Sequence, residues 1–446
     1  MVKKGSTRYV CSACGAESAT WAGKCHVCGE WNTLEEQLSE TQLEKPLGNV
    51  LKPQKVSQAV SSDMKRLKIT VGECDVVFGG GVVPGSVTLM AGEPGIGKST
   101  LLLQISNAVA KNCSVLYVSG EESTHQVGLR AKRLKANSAK LSISAANFAD
   151  DVATSMLEGS YDLVIVDSIQ TITCAQLKSA AGTVSQITSS THLLMSAAKK
   201  SNTAVILVGH VTKEGAIAGP KILEHIVDVV LQLEGDRYGG FKILRSIKNR
   251  FGSTNEVAIF EMDEDGMRSV DNPSKALLAE RQVTDGSVVL ATMEGSRPVL
   301  VEVQALVNKT AYGYPKRAAS GLDLNRLNLL IAMLERRTKL QLSDQDIYIN
   351  IVGGIRVTEP AADLAICMAI ASASKGMQLK KNAVVFGEVG LSGEVRHVPY
   401  IEKRIGEAKK LGFNVAIGPV VKTGKRPALL HGVNHVRAAL NTFLEI

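Results

Sequence analysis

The stretch that decides the fold of this chain reads Gly92-Glu93-Pro94-Gly95-Ile96-Gly97-Lys98-Ser99, with Thr100 directly after it. The pattern is G-x-x-x-x-G-K-S, and it stands between a strand-like run and a helix-like run. Glycines let such a loop turn tightly, so its N–H groups converge on phosphate oxygens beside the positive helix N-terminus. In this pattern the lysine reaches the β- and γ-phosphates and assists catalysis, and the serine hydroxyl binds Mg²⁺. Residues 92–100 therefore predict a binding loop for a nucleoside triphosphate.

The pattern on both sides of this binding loop predicts an α/β domain over residues 63–270. Five apolar runs of strand length, with helical patterns between the first four, are typical of a buried, largely parallel sheet. These runs are residues 87–90, 115–118, 163–166, 205–208 and 229–233. Two later runs, 241–247 and 257–262, are predicted to add antiparallel strands at one edge.

Polar residues follow three of these strand-like runs. Asp167 follows the third run, where a carboxylate downstream of a phosphate-binding loop holds Mg²⁺ (the Walker B arrangement). Glu121 follows the second run and can orient and deprotonate the attacking water. Glu122 is the alternative, and the helix dipole alone would favour both carboxylates there. His210 follows the fourth run, where a polar group can sense the γ-phosphate, although a lone histidine is more often structural.

Two basic segments complete the predicted domain. Lys248 and Arg250 alternate, so on a strand both side chains project to one face and suit a phosphate presented by another subunit. A solvated basic edge that prevents strand pairing is the alternative. The segment after His210 carries Lys213 and Lys221, which suit either phosphate contact or a solvated surface loop.

Residues 1–33 hold two C-x-x-C pairs separated by ten residues. Each pair can supply two thiolates from a tight turn, and together they make a tetrahedral zinc site. The zinc would supply the folding energy of so short a segment, since its core is too small to do so. The four ligands are Cys11, Cys14, Cys25 and Cys28, and the expected fold is a zinc ribbon-like module. Trp21 and Trp31 are predicted to pack within this module, with an exposed docking face as the alternative. Residues 34–62 read as a linker.

Composition places the chain among soluble globular proteins of more than one domain. It has 446 residues, is 45% hydrophobic and 21% charged, and carries a formal net charge of +8. This charge favours a polyanionic partner. No apolar run is long enough to span a membrane and no signal peptide is evident, so a cytoplasmic location is expected. The other four cysteines read as ordinary buried thiols, and residues 271–446 read as a second α/β unit.

These motifs together resemble the bacterial RadA (Sms) family of DNA repair and recombination ATPases. The likeness covers the four-cysteine segment, the binding loop, Asp167 and the stretch 248–252, Lys-Asn-Arg-Phe-Gly. It implies a RecA/DnaB-like core that hydrolyses ATP with Mg²⁺. In that core Glu121 is the water-activating carboxylate, and His210 takes the sensor position. It also implies that Lys248 and Arg250 form the K-x-R pair inserted into a neighbour's nucleotide site.

The same resemblance implies an assembly and a substrate. Family members form a ring, so a homo-hexamer with DNA threaded through its centre is expected. Lys213, Lys221 and Lys178 would line that channel. The implied activity is ATP-driven movement on single-stranded and branched DNA, which extends strand exchange and branch migration beside RecA.

The C-terminal part resembles the proteolytic domain of Lon, on residues 387–396 and the following helical stretch 401–412. The match departs where Lon has its nucleophilic serine, because this chain has Ala361. Where Lon has its catalytic lysine the register gives Glu402, next to Lys403. A Ser–Lys dyad needs a hydroxyl to activate, so no peptidase activity is expected. The domain is expected to build the ring and to add DNA-binding surface.

Overall fold

A computed structural model describes residues 7–38, 65–210, 222–235, 240–311, 313–379, 382–421 and 427–445. The chain divides into two compact units, Met1–Asp63 and Met64–Ile446. The smaller unit is a three-stranded antiparallel sheet of order β2-β1-β3, with β1 Thr7–Cys11, β2 Glu17–Ser18 and β3 Leu34–Leu38. Because Leu34 pairs with Cys11, the module extends past residue 33. The linker predicted over 34–62 therefore does not start at residue 34, and its part from 39 to 62 lies outside the described residues.

The first sheet of the larger unit has nine strands among the described residues, in the order β12-β11-β10-β9-β4-β8-β7-β5-β6. The strands are β4 Val87–Gly92, β5 Val115–Ser119, β6 Leu141–Ala145, β7 Leu163–Asp167, β8 Ala204–His210, β9 Val229–Gly235, β10 Phe241–Asn249, β11 Val257–Asp263 and β12 Gly266–Ser269. The helices of this part are α1 Cys74–Val77, α2 Lys98–Val109, α3 Thr124–Arg133, α4 Ala149–Glu158, α5 Val184–Ser201 and α6 Ile222–Ile226.

Pairing within this sheet confirms the predicted mixture of directions. Strands β4 to β9 are all parallel to one another, whereas β10 is antiparallel to β9, β11 to β10, and β12 to β11. Strand β6 was missed, because its Leu-Ser-Ile-Ser-Ala sequence is half polar and it lies partly exposed at the edge.

Helices cover both faces of the parallel part, which explains why its strands are continuous apolar runs. Successive residues of a strand point to opposite faces. Met90 accordingly packs in one buried cluster with Leu102 of α2, whereas Leu89 packs in another with Leu194 of α5. Because β4, β5, β7 and β8 are parallel, their carboxyl ends meet at one edge of the sheet.

The second sheet of the larger unit has the order β15-β16-β14-β13-β18-β21-β22. Its strands are β13 Ser287–Glu294, β14 Arg297–Lys309, β15 Arg317–Ser320, β16 Gln345–Ile351, β18 Ala383–Val385, β21 Val415–Pro419 and β22 Leu430–Val433. Short pairs join β17 Gln378–Leu379 to β23 Leu444–Glu445 and β19 Glu388–Val389 to β20 Val395–Arg396. The helices are α7 Pro273–Leu278, α8 Leu324–Thr338, α9 Asp363–Lys375, α10 Ile401–Lys410 and α11 Val436–Phe443, with a 3₁₀ turn at Pro360–Ala362.

The antiparallel edge of the first sheet shares a core with the second sheet. Ile243 of β10 and Ile259 of β11 belong to the same buried cluster as Val301 of β14 and much of α9. Arg245 of β10 also donates to Glu294 of β13 over 2.8 Å. The two sheets are therefore joined by packing and by charge. Among the described helices, none has the length and apolar character needed to cross a membrane.

Candidate nucleotide-binding site

The binding loop joins the carboxyl end of β4 to the start of α2. Gly97 is the N-cap of α2 and has a φ of +110°, in the left-handed region that favours glycine. A Cβ added there would clash with the methyl groups of Met262 and Met267. The loop therefore requires glycine at position 97 for its backbone angle, and any larger residue would also have to displace the two methionine methyl groups.

Lys98 is buried at the centre of this loop, with 4% of its surface exposed. Its Nζ donates to the carbonyls of Gly92 and Glu93, over 2.8 and 2.9 Å, and lies 3.3 Å from Nδ1 of His210. Burial lowers the pKa of Lys98 to about 8, although the charges of Asp167, Glu121 and Glu93 oppose this effect. A desolvated ammonium group of this kind gains strongly from the negative charge of a phosphate.

Asp167 ends β7 and is held by a residue that the sequence analysis missed. The phenol of Tyr117, buried on β5, donates to Asp167 Oδ2 over 2.5 Å. Burial, together with the charge of Asp167, raises the pKa of Tyr117 well above its usual value, so the phenol remains a neutral donor. Ser99 interacts with the same phenol and lines the same cavity as Asp167. A hydroxyl and a carboxylate brought together are oxygen ligands of the kind Mg²⁺ prefers, so these residues fit the ion.

The two candidate carboxylates after β5 differ in their surroundings. Glu121 Oε1 accepts from Ser168 Oγ over 2.6 Å and lies 3.3 Å from Nε2 of His210. Burial would raise the pKa of Glu121, but the hydrogen bonds from Ser168 and His210 outweigh it and lower the pKa. Glu122 instead forms an ion pair with Arg130, at 2.7 Å. The geometry therefore favours Glu121 as an ionised base, and His210 connects it to Lys98.

These groups line a cavity of about 560 Å³, which is within the usual range of volumes for small-molecule sites. It is lined by Pro94, Gly95, Gly97, Lys98, Ser99, Thr100, Glu121, Arg130, Arg133, Asp167, His210, Met262, Asp263, Glu264 and Gly266. The last four residues belong to the β11–β12 hairpin and were not predicted, nor were the two arginines of α3. Gln104 of α2 fixes this hairpin by bonding both the N–H and the carbonyl of Met267, over 2.9 and 3.1 Å.

Lys248 and Arg250 lie near the opposite end of β4 from the binding loop. Arg250 Nη1 donates to Asp228 Oδ1 over 3.1 Å, and Asp228 Oδ2 accepts the N–H of Val87, the first residue of β4, also over 3.1 Å. Lys248 Nζ donates to backbone carbonyls of residues 224, 225 and 227.

The alternation argument assumed that Lys248 and Arg250 lie on one regular strand, and the structure shows that they do not. The β10–β9 register shifts just before Lys248, and β10 ends at Asn249. Both side chains nevertheless contact one segment, residues 224–228.

The residues expected to line a DNA channel are placed only in part. Lys178 is exposed in the segment between β7 and α5. Lys213 and Lys221 lie outside the described residues. In sequence, the segment 211–221 that contains them connects His210 to the first residue of α6.

The four cysteines of the smaller unit converge on one point. Their sulfur atoms all lie within 4.8 Å of one another, and Cys11–Cys28 and Cys14–Cys25 are each separated by 3.7 Å. A tetrahedral zinc ion with Zn–S bonds of about 2.3 Å requires sulfurs roughly 3.8 Å apart. The cysteines therefore fit Zn²⁺.

The expectation that the two tryptophans pack within this module was wrong. Trp21 and Trp31 are 59% and 68% exposed. The small core consists instead of Cys11, Cys25 and Leu34, with Tyr9 and Ala16 packed against it.

The Lon-like part holds an ion pair between a fully buried arginine and a partly buried carboxylate, near the position of the missing serine. Ala361 is buried, and the adjacent Glu359 accepts from both Nη atoms of Arg404, over 2.8 and 2.6 Å. Arg404 is fully buried and also donates to the carbonyl of Ala291, over 2.5 Å. Lys403 points elsewhere, with its Nζ 3.2 Å from the carbonyl of Ser296.

Three family models match separate parts of the chain. Residues 9–36 match a rubredoxin metal-binding domain, residues 54–216 an AAA domain, and residues 328–421 the ChlI subunit of Mg-chelatase. These matches confirm the expected order of a zinc ribbon, a RecA-like ATPase core and a Lon-like C-terminal domain.

Curated relatives match almost the whole chain. Proteins named DNA repair protein RadA are 48% identical in Listeria monocytogenes, over 92% of this chain and 91% of theirs, and 45% identical in Bacillus subtilis, over 99% of each. The protein of that name from Aquifex aeolicus is 46% identical, over 93% of this chain and 94% of its own. Among solved structures, the RadB recombinase is 23% identical with a TM-score of 0.38, and covers 46% of this chain and 100% of its own.

Proposed function

The chain belongs to the RadA family of DNA repair proteins, and from that premise we propose that it is a ring-forming motor that uses ATP to move on DNA. Membership and the AAA match make it an ATPase of DNA repair and recombination, with ATP, Mg²⁺ and Zn²⁺ as its cofactors. The movement, the ring and their coupling to DNA are the proposal.

Hydrolysis follows from the groups that line the cavity. The N–H groups of the binding loop and the Lys98 ammonium would hold the β- and γ-phosphates. Ser99 and Asp167 would hold Mg²⁺, which supplies positive charge between the phosphates. Glu121, ionised and facing the cavity, would take a proton from the attacking water, and His210 would report the γ-phosphate because it contacts both Glu121 and Lys98.

The position of the K-x-R pair is the observation that best supports the proposed ring. Arg250 is anchored through Asp228 to Val87, whereas Lys98 is anchored to Gly92 at the other end of the same strand. Six residues of extended strand place these ends roughly 17 Å apart, beyond the reach of an arginine side chain. The pair therefore suits the nucleotide of a neighbouring subunit, which it would reach in a closed ring such as a homo-hexamer.

The DNA and protein partners are part of the same proposal. Lys213 and Lys221 lie in the segment that follows His210, so DNA bound there would be coupled to the state of the nucleotide. Lys178 would add a further phosphate contact. Single-stranded and branched DNA are the proposed substrates. Branch migration beside RecA is the proposed role, in the cytoplasm.

The Lon-like domain is proposed to have no peptidase activity. Ala361 has no hydroxyl to attack a peptide, and Lys403 bonds a carbonyl elsewhere. The domain would instead hold the ring together and bind DNA. Degradation of casein by the purified chain would contradict this.

The test is ATP turnover with and without single-stranded DNA, run beside strand displacement on a forked duplex. We expect DNA to stimulate turnover and the duplex to be displaced, and Lys98→Ala to abolish both. Turnover that is indifferent to DNA would refute the motor and leave a nucleotide-gated scaffold. Extension of a RecA-made joint by the wild-type chain, and not by Lys98→Ala, tests the recombination role.

A further inference from the structure

One buried carboxylate connects the K-x-R pair to the strand that carries the binding loop. Asp228 lies between α6 and β9 and is 6% exposed. Its Oδ1 accepts from Arg250 Nη1 and its Oδ2 from the N–H of Val87, each over 3.1 Å. Its backbone N–H donates to the carbonyl of Val87 over 2.9 Å, and its carbonyl accepts the N–H of Arg250 over 3.2 Å. Asp228 therefore bonds both partners twice.

The two cations of the pair are held differently. Lys248 has three ammonium hydrogens, and three carbonyls at the end of α6 lie 2.7, 2.8 and 3.3 Å from its Nζ. Arg250 has five N–H donors, and its side chain is 54% exposed. In the isolated subunit Lys248 is bonded to its own chain, and Arg250 is the cation of the pair whose side chain is more than half exposed.

The two positive charges also repel each other. Burial lowers the pKa of Lys248, and the charge of Arg250 lowers it further, whereas Asp228 and Glu224 oppose the shift. A fixed anion beside Arg250 therefore keeps the guanidinium in place next to another cation.

We propose that Asp228 is a positioning residue for Arg250, which it aims at the nucleotide phosphates of the neighbouring subunit. This rests on the proposed ring. An arginine finger acts only when its guanidinium meets the developing charge on the phosphoryl group, so its orientation in the donor subunit decides the rate in the acceptor subunit. The bonds from Asp228 to Val87 fix this orientation to the first residue of β4, a strand buried along its whole length.

Asp228→Asn separates this role from a structural one. The amide oxygen of asparagine can still accept the N–H of Val87, whereas its NH₂ group cannot accept from Arg250. We expect DNA-stimulated turnover to fall roughly ten- to hundredfold, with nucleotide affinity and melting temperature close to wild type. Asp228→Ala, which loses both bonds, should also lower the melting temperature.

Mixed rings supply the decisive readout. Lys98→Ala subunits have an intact Arg250 finger and an inactive binding loop. Asp228→Asn subunits would have an intact binding loop and a misplaced finger. When these two impaired variants are mixed in equal amounts and exchange subunits, about one interface in four pairs an intact loop with an intact finger. We expect turnover to recover to about that fraction of wild type. The same recovery is expected for Arg250→Ala mixed with Lys98→Ala, which is the control.

The outcomes separate this inference from the proposed function. Recovery with Arg250→Ala but not with Asp228→Asn would show that Asp228 acts on its own binding loop, and would overturn the inference alone. Failure of both mixtures would refute the finger in trans, and the inference with it. Wild-type turnover by Asp228→Asn would also overturn the inference.

Discussion

The lowered pKa of Lys98 makes nucleotide binding dependent on pH, and the structure gives the direction and the size of the effect. The perturbation is a rise from pH 7 to pH 9, which crosses the pKa of about 8 of the buried ammonium group. Bound phosphate restores the charged form, because it places negative charge against the ammonium group. The affinity for Mg–ATP must therefore fall as the pH rises.

The magnitude follows from the fraction of Lys98 that is charged in the free protein. That fraction is about nine-tenths at pH 7 and about one-tenth at pH 9, for a pKa of about 8. The dissociation constant should thus be about tenfold larger at pH 9 than at pH 7, which corresponds to a loss of about 1.4 kcal/mol of binding free energy. Near pH 8, binding should take up about half a proton per nucleotide.

Stability of the free protein should change in the opposite direction. The folded pKa of Lys98, about 8, lies below its ordinary value of 10.5, so the unfolded chain binds more protons between these pH values. The charged ammonium group is therefore unfavourable in the folded state below pH 8. That penalty disappears as the pH rises from 8 towards 10.5.

The assay is isothermal titration of the full chain with Mg–ATPγS from pH 7 to pH 9, in buffers of different ionisation enthalpy that report proton uptake. Lys98→Arg is the matched control, because a guanidinium stays charged throughout this range. We expect weaker binding by this variant, with an affinity that does not change with pH. A flat profile for the wild type would refute the burial argument, and an equal slope in Lys98→Arg would assign the titration to another group.

Three further predictions test other parts of the molecule. Glu121→Gln should lower ATP turnover by roughly two to three orders of magnitude while nucleotide binding is retained. Glu122→Gln should have little effect, because Glu122 forms an ion pair with Arg130, and the reverse result would exchange the roles of the two carboxylates. Zinc removal by a chelator should unfold the smaller unit, seen as a change in tryptophan fluorescence, and Cys14→Ser should do the same without chelator. Arg404→Met should lower the free energy of unfolding of the larger unit, measured in urea, by about 3–5 kcal/mol, because it leaves the partly buried Glu359 carboxylate without its cation. The control Lys403→Met should cost less than about 1 kcal/mol, and equal losses in the two variants would contradict this.

The parts of the site that the sequence predicted are those with a local signature. The binding loop needs its glycines, Lys98 and Ser99 next to each other, and the zinc cysteines need a fixed spacing. Asp167 and His210 each end an apolar strand; downstream of a phosphate-binding loop this signal identified Asp167, whereas the role of His210 depended on the family resemblance. Parallel strands of one sheet bring such ends together, so counting the strands was enough to place them.

The parts that could not be predicted depend on contacts between distant segments. Tyr117 reads as one more apolar residue of β5 until β7 places Asp167 beside it. The β11–β12 hairpin reaches the cavity because two antiparallel strands follow β10, and nothing in its own sequence indicates a nucleotide. Asp228 lies 141 residues from its partner Val87, so no local pattern connects them.

In the proposed ring, the central strand β4 would connect one nucleotide site to the next. Its carboxyl end carries the binding loop, with Lys98 bonded to Gly92, and its amino end is bonded to Asp228 and through it to Arg250. The strand pairs along its length with β8 on one side and β9 on the other. A movement of the binding loop therefore cannot be absorbed by bending β4 alone, since that would break sheet hydrogen bonds on both sides. If the proposed ring forms, Arg250 should accordingly move with the loop that holds the phosphate of its own subunit.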